Sequence, residues 1–291
     1  MTVVASRTLT SARRALLEWY GPRRHAYAWR RSHDPYTIWV SEVMLQQTQA
    51  ARVGPPFEAF VARFPTVEAL AQAPRADVVR AWEGLGYHRR AVTLHEASRA
   101  IVRDHGGVVP RERLALCALP GVGPYTASAV AAIAFGEPVA ALDTNLRRIV
   151  ARVAFAAEPD EVAARDLANE AQRLCDRDDP GEWNQALMDL GREICRPSPR
   201  CEVCPLERWC AFRAAGGIGR PSSRRQPAFE GSLRQVRGAV LAQLRRRDPA
   251  SVARLVRETG EPEKRVREAL DGLARDGVVE ARPRGSYGLP A

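Results

Sequence analysis

The chain has 291 residues, of which 45% are hydrophobic and 27% charged, a composition typical of one or two folded domains. No apolar run approaches the roughly 20 residues of a membrane span, and the N-terminus carries no apolar signal core. We therefore expect a cytoplasmic protein with no membrane partner.

The charge balance is strongly basic. Lysine and arginine number 44 against 34 acidic residues, which gives a net charge of +10. A surface of this sign suits an anionic polymer such as nucleic acid. The only lysine is Lys264, so any mechanism that needs a lysine amine has one candidate, far toward the C-terminus.

Apolar residues recur at intervals of three to four along most of the chain, which predicts helices. The clearest segments are Val67–Leu70, Val78–Trp82, Leu94–Val102, Ala127–Phe135 and Leu146–Val153. No alternating strand pattern occurs before residue 275. The predicted fold class is therefore all-α, in a region over residues 1–213, with a small mixed addition at the C-terminus.

A stretch rich in Gly, Pro and Ser over 214–231 predicts a linker. Beyond it, two short strand-like runs follow three helical patterns: Leu233–Arg246, Ser251–Glu258 and Glu263–Arg275. This order predicts a winged-helix-like α+β module over 232–291. From Ala215 onward the chain has 16 basic and 9 acidic residues, which fits either a surface facing DNA or another partner, or a solvated face.

Four of the six cysteines lie in one stretch: Cys195, Cys201, Cys204 and Cys210. Disulfides are possible, but the sequence gives no secretion signal to support them. Four thiolates close together in a cytosolic chain indicate a metal site, either zinc or an iron–sulfur cluster. A zinc ribbon usually has two Cys-x2-Cys pairs, whereas here one such pair has single cysteines on either side. The spacing therefore favours a 4Fe–4S cluster bound by the loop 195–210.

The turn Leu119–Thr126 contains Gly121, Val122 and Gly123 ahead of a helix rich in small residues. Two glycines leave backbone N–H groups exposed, and at a helix N-terminus those donors suit a phosphate. This pattern is typical of a helix-hairpin-helix motif that binds the DNA backbone without reading sequence. A plain connection between two helices is the alternative.

Two carboxylates occupy contrasting positions. Asp143 lies between an apolar run and a helix, where it could simply be an N-cap. Glu42 is flanked by apolar residues, and a half-buried glutamate has a raised pKa and can hold a proton near neutral pH. Two carboxylates in different environments can divide acid and electrostatic roles at a glycosidic bond.

Five features of the sequence together closely resemble MutY-type adenine DNA glycosylases: Ser41–Gln49, Gly84–Tyr87, the turn at 119–126, Asp143 and the four-cysteine loop. These enzymes belong to the helix-hairpin-helix glycosylase superfamily, with endonuclease III. The resemblance covers about residues 15–212. It implies two helical lobes with a cleft between them, one 4Fe–4S cluster, and a nucleoid-associated monomer that acts on double-stranded DNA containing an adenine mispair.

The resemblance also implies roles for individual residues. Glu42 would protonate an adenine that has been flipped out of the duplex, and Asp143 would stabilise the oxocarbenium-like sugar. Tyr125 would hydrogen-bond at the Asp143 carboxylate, and Asn145 would support the site. The resemblance places Trp29, Arg30, Leu45 and Gln185 around the adenine, and Gln47 and Tyr87 in the base stack at the opposite purine.

Endonuclease III-like relatives that cut the strand carry a lysine where this chain has Tyr125, and use it as a Schiff-base amine. The resemblance therefore implies a monofunctional enzyme that removes the base and leaves the strand intact. Two alternatives stay open: a thymine or uracil mismatch glycosylase of the same superfamily, and a DNA-binding protein without catalysis on the same scaffold.

The sequence departs from the family in three places. The first gap between cysteines is five residues, from Arg196 to Arg200, where six is usual. His88 follows Tyr87 where a second tyrosine is common. Many members end in a Nudix-like β-rich domain that recognises 8-oxoguanine, whereas the tail here is predicted to be short and mostly helical.

Overall fold

The computed structural model describes residues 6–24, 27–220 and 228–290, and this part of the chain is mostly helical, as predicted. The helices are α1 (Ser6–Tyr20), α2 (Pro35–Leu45), α3 (Ala50–Arg63), α4 (Val67–Gln72), α5 (Arg75–Ala81), α6 (Arg89–His105), α7 (Arg113–Ala118), α8 (Pro124–Phe135), α9 (Thr144–Phe155), α10 (Ala164–Leu174), α11 (Pro180–Glu193), α12 (Ala211–Ala214), α13 (Leu233–Arg246), α14 (Val252–Thr259) and α15 (Glu263–Arg275). The strands are β1 (Ala250–Ser251), β2 (Glu280–Arg282) and β3 (Ser286–Gly288). None of the described helices combines the length and the apolar character that crossing a membrane requires.

Residue contacts divide the chain into two units that interleave in sequence. The first unit takes the described parts of Met1–Glu42, Pro110–Ala118 and Val122–Ser223. The second takes those of Val43–Val109, Leu119–Gly121 and Arg224–Ala291. The domain limits of 1–213, 214–231 and 232–291 follow chain order instead, and they stay a prediction.

The core of the first unit is formed largely by α1, α9 and α11. Its buried side chains include Leu16, Tyr20, Ile149, Trp183 and Leu190. Helix α8 consists of small and apolar residues, seven of which are buried. The small side chains let α11 pack closely against α8. A Cβ atom on Gly181 would lie 3.2 Å from the Ala132 carbonyl oxygen. A second close approach of α11, at Gly191 against Asn145, lies at the N-terminal end of α9, beside a candidate catalytic residue.

The core of the second unit joins α5 and α6 to the C-terminal helices. Val79 and Val92 belong to the same buried cluster as Val240 and Leu270. A polar contact reinforces this packing, since Arg245 Nη2 donates to the Val79 carbonyl oxygen at 3.1 Å. Residues of the C-terminal tail therefore share one hydrophobic core with the segment that contains α5 and α6.

The tail has the order of elements that the sequence predicts: three helices and then a hairpin. Strand β3 is central in a three-stranded antiparallel sheet of order β1-β3-β2. Ala250 pairs with Tyr287 across one side, and Ala281 pairs with Tyr287 across the other. The two-residue strand β1 has no signal in the sequence. This small sheet confirms the predicted α+β character of the C-terminal addition.

Candidate active site

Glu42 lies on α2 and is only 4% exposed. Burial raises the pKa of its carboxyl from 4.5 to about 7, because removal from water disfavours the charged form. A hydrogen bond from Tyr125 and the positive charge of Arg30 oppose the rise in pKa, whereas the negative charge of Asp143 adds to it. Glu42 therefore holds a proton in a substantial fraction of molecules near neutral pH.

Tyr125 is the second residue of α8, directly after the glycine turn. Its hydroxyl donates to Glu42 Oε2 at 3.1 Å and lies 3.7 Å from Met188 Sδ. Burial raises the pKa of Tyr125 well above 10, so the hydroxyl stays protonated and acts as a donor. The resemblance implies a hydrogen bond to Asp143 instead. In the structure, this tyrosine contacts the other carboxylate of the pair.

Asp143 is the N-cap of α9, as the simplest interpretation of its position predicts. Its Oδ1 accepts from the Leu146 N–H at 2.7 Å, and its Oδ2 accepts from Asn145 Nδ2 at 3.0 Å. Burial raises the pKa of Asp143, while these hydrogen bonds oppose the rise. The capping role and a catalytic role are compatible, because the helix N-terminus favours the ionised form of the carboxyl.

A residue that the sequence analysis missed links this site to the cysteine loop. Arg148 Nη2 donates to Asn145 Oδ1 at 2.8 Å, and its Nε donates to the Cys195 carbonyl oxygen at 2.6 Å. Gly191 allows the close approach of α11, since a Cβ atom there would lie 2.5 Å from the Asn145 Cβ. A continuous chain of hydrogen bonds thus runs from Asp143 through Asn145 and Arg148 to Cys195.

Arg30 and Trp29, both predicted site residues, lie on a short 3₁₀ turn ahead of α2. Arg30 makes a bidentate ion pair with Asp189, at 2.5 and 2.9 Å, and both side chains are less than 10% exposed. Trp29 is buried and stacks on Tyr27 with ring centroids 4.7 Å apart. Asp189 and Tyr27 were not predicted, because nothing in the local sequence distinguishes them.

The predicted residue Gln185 lies on α11, half-buried, one helical turn before Asp189. The Tyr20 hydroxyl donates to its Oε1 at 2.7 Å. Tyr20 is fully buried at the end of α1, and the Arg30 guanidinium carbon lies 5.5 Å from the centre of its ring. The first unit thus brings together Glu42, Tyr125, Asp143, Asn145, Trp29, Arg30 and Gln185.

Leu45, Gln47 and Tyr87 belong to the second unit. Gln47 and Tyr87 both adopt left-handed backbone conformations, with φ of 56° and 46°, and Tyr87 is 42% exposed. Buried Arg90 holds their two loops together. Its guanidinium donates to the carbonyl oxygens of Gln46 at 2.6 Å and Gly86 at 3.2 Å. Arg90 is a second arginine with a positioning role that the sequence did not reveal.

The glycine turn has the geometry that its sequence predicts. Gly121 has a left-handed φ of 74°, and a Cβ atom there would lie 2.6 Å from Thr93 Oγ1, so no other residue fits without movement. Gly123 is the N-cap of α8, with Pro124 at the first helical position. The turn connects α7 to α8, which is the predicted helix-hairpin-helix order.

The four cysteines of the loop line one cavity, together with apolar residues and Arg152. None of them forms a disulfide within the described residues. Arg152 Nη1 lies 3.7 Å from Cys195 Sγ, and the same guanidinium forms a buried ion pair with Glu158 at 2.7 Å. Across the described ranges, no group of three or more His, Cys, Asp or Glu side chains is already gathered around a single ion position. Four thiols around one apolar cavity form a donor set that fits an iron–sulfur cluster.

The chain matches the HhH-GPD superfamily of base excision DNA repair proteins over residues 40–174. It is 42% identical to the adenine DNA glycosylase of Mycolicibacterium smegmatis, over 94% of either chain. It is 44% identical to that of Mycobacterium tuberculosis, over 94% of this chain and 92% of the relative. The human adenine DNA glycosylase is 41% identical over 70% of this chain and 40% of its own length.

Solved structures agree with this relationship. A thermostable thymine-DNA glycosylase superposes with a TM-score of 0.66 at 30% identity, over 72% of this chain and 98% of that one. Endonuclease III from a non-covalent DNA complex superposes with a TM-score of 0.60 at 21% identity, over 74% of this chain and 99% of that one, which shows a shared fold. The chain therefore belongs to the adenine DNA glycosylases of the HhH-GPD superfamily of base excision DNA repair proteins.

Proposed function

We propose that this protein removes adenine paired with 8-oxoguanine or guanine in double-stranded DNA, by hydrolysing the N-glycosidic bond. The observation that carries the proposal is the pair of buried carboxylates: Glu42 with a pKa of about 7, beside an Asp143 fixed by two hydrogen bonds. The family membership supplies the substrate class, and the carboxylate pair supplies the chemistry.

Glu42 acts as the general acid. A carboxyl with a pKa near 7 is partly protonated at neutral pH and can still give up its proton, which is the optimum for acid catalysis. Proton transfer to a ring nitrogen of adenine makes the base a neutral leaving group. Tyr125 donates to Oε2 and so steadies the carboxylate that remains after the transfer.

Asp143 stabilises the positive charge that develops on the sugar as the glycosidic bond breaks. Its two oxygens are held by the Leu146 N–H and Asn145 Nδ2, so little rearrangement is needed when the charge appears. Arg148 in turn fixes the Asn145 amide by donating to its Oδ1. The negative carboxylate therefore faces the reacting sugar in one orientation.

The enzyme is monofunctional in this proposal. The hairpin position next to the acid is Tyr125, and the chain's only lysine, Lys264, lies on α15 of the tail. Tyrosine cannot form the Schiff base through which a lyase cuts the strand. Strand cleavage should therefore appear only after treatment with alkali.

Duplex DNA is the partner, bound by a single copy of this chain. Gly121 and Gly123 are exposed and flank buried Val122 in the turn ahead of α8, and the backbone N–H groups of such a turn suit the phosphate backbone. Gln47 and Tyr87, held by Arg90, would enter the base stack at the opposite purine. Cys195, Cys201, Cys204 and Cys210 would bind a 4Fe–4S cluster, which supplies a rigid cross-link for the loop beside α9 and α11.

The test is single-turnover cleavage of duplexes that carry adenine opposite 8-oxoguanine or guanine, with alkaline work-up. The Asp143→Asn variant should lose most of the excision rate while still binding the duplex. Asp179→Asn is the matched control, because Asp179 caps α11 through the Glu182 N–H at 3.0 Å in the same unit. Since asparagine caps a helix about as well as aspartate, both helices keep their caps, and an equal loss in both variants would argue against a catalytic role of the Asp143 charge.

A second candidate function is thymine removal, since the structure of a thymine-DNA glycosylase matches 72% of this chain and is 30% identical to it in sequence. Duplexes with thymine or uracil opposite guanine belong in the same assay. Excision of thymine at a rate comparable to that of adenine would overturn the proposed substrate. Strand breaks without alkali would overturn the monofunctional reaction.

A further inference from the structure

Tyr20 lies outside the catalytic pair, yet it controls a side chain expected at the base pocket. Its hydroxyl donates to Gln185 Oε1 at 2.7 Å. The hydrogen bonds of the described residues include none from Gln185 Nε2. An amide that is held by its oxygen has a fixed polarity: the carbonyl is engaged with the protein, and the NH₂ group is available to a ligand.

The surroundings keep Tyr20 in this role. The residue is fully buried in the core of the first unit, and burial raises the pKa of its phenol, so the hydroxyl keeps its proton at physiological pH. Among the described hydrogen bonds, the acceptor of this O–H is Gln185 Oε1. The Arg30 guanidinium lies against its ring, 5.5 Å from the ring centre, and is itself locked by Asp189. A turned amide could still donate to the phenol oxygen, but the buried O–H would then lose its acceptor, so the orientation with Oε1 toward Tyr20 is favoured.

We propose that Tyr20 is a specificity-determining residue: by locking the Gln185 amide, it makes the pocket accept adenine and reject 6-oxopurines. This inference rests on the proposed function and on the Gln185 amide facing ring N1 of the base. Adenine carries an acceptor at ring N1 and an amino donor at position 6. Hypoxanthine, a 6-oxopurine, carries a donor at N1 and an acceptor at position 6, so its polarity is reversed at both points. N7 is an acceptor in both purines and cannot distinguish them.

A free amide could turn by 180° and satisfy either base, whereas a locked one satisfies only one. When the amide orientation is fixed, the wrong base places its own donor against the amide donor. Both buried groups then lack an acceptor, and this cost makes the site discriminate between the two bases. Tyr20 contributes no contact to the base in this account. It acts as a positioning residue through Gln185.

The experiment compares excision of adenine and hypoxanthine, each opposite guanine in the same duplex, under single-turnover conditions. Tyr20→Phe keeps the aromatic ring and its contact with Arg30 but removes the donor. We expect the ratio of adenine to hypoxanthine rates to fall by about tenfold or more relative to the wild type. A purely structural role would lower both rates together and leave the ratio unchanged.

Two controls distinguish loss of the fixed Gln185 orientation from a general disturbance of the site. Tyr27→Phe removes a hydroxyl that accepts from Arg192 Nη1 at 2.7 Å, in the same polar network but away from Gln185, and should preserve the ratio. In a Gln185→Met background there is no amide to turn, so adding Tyr20→Phe should not change the ratio further. An unchanged ratio in Tyr20→Phe alone, or an equal change when Tyr20→Phe is added to Gln185→Met, overturns the inference. Failure of the wild type to excise adenine overturns the proposed function instead.

Discussion

Glu42→Gln should inactivate the enzyme and stabilise it at the same time. Burial raises the pKa of Glu42 from 4.5 to about 7, so the folded state resists ionisation that the unfolded chain undergoes freely. The wild-type free energy of unfolding therefore falls as the pH rises from about 4.5 to 7, and the loss is complete above pH 7. Because a pKa unit corresponds to about 1.4 kcal/mol, this one group costs the folded state about 3 kcal/mol at high pH.

A neutral glutamine carries no such penalty. Between pH 5.5 and 8.5 the wild type should lose about 2 kcal/mol of unfolding free energy relative to Glu42→Gln, measured by urea denaturation at matched salt. Over the same range the variant should excise adenine ~10²–10⁴-fold more slowly, since the proton donor is gone. Glu58→Gln, which changes an exposed glutamate on α3, is the control for the general effect of losing a charge. Parallel pH dependences for wild type and Glu42→Gln would refute the burial argument.

Three further predictions concern other parts of the molecule. Tyr125→Phe removes a hydrogen bond that favours the ionised form of Glu42, so the pH above which excision slows should move upward by ~1 unit. No shift, or a downward one, would contradict the assignment of Glu42 as the general acid. Cys201→Ser should yield little soluble protein and should abolish the visible iron–sulfur absorption of the wild type, whereas a colourless wild type holding one zinc would rule out the cluster. Removing residues 232–291 should destabilise the second unit, because it uncovers Val79 and Val92. The contribution of the tail to DNA binding is therefore better tested in a full-length variant in which the exposed residues Arg246 and Arg247 are both changed to Glu. That double variant should bind duplex more weakly and with a flatter salt dependence, and an unaltered salt slope would argue against a DNA-binding tail.

The sequence revealed the residues whose function leaves a local signature. The apolar neighbours of Glu42 predicted its burial, and the position of Asp143 ahead of a helix predicted its capping geometry. The two glycines of the hairpin predicted a turn because Gly121 needs a left-handed backbone. In each case the physical requirement lies within a few residues of the side chain concerned.

Residues that act across the fold left no such signature. Arg90 donates to the Gln46 carbonyl oxygen, 44 positions away, and Arg148 donates to the Cys195 carbonyl oxygen, 47 positions away. In a chain with 44 basic residues, nearly all of them arginine, a structural arginine is indistinguishable from a surface one. The same limit applies to Asp189, whose ion pair with Arg30 spans 159 positions.

The shared core of the second unit has a consequence for synthesis of the chain. Val92 becomes buried against residues that begin at Val236, which are 144 positions later. At about 5–20 residues per second, the ribosome needs roughly 7–30 s to reach Val236. During that interval the apolar face formed by Val79 and Val92 has no permanent cover, so the nascent chain offers it to chaperones or to other unfinished chains. Final folding of this unit therefore waits until residues 236–289 have left the ribosome.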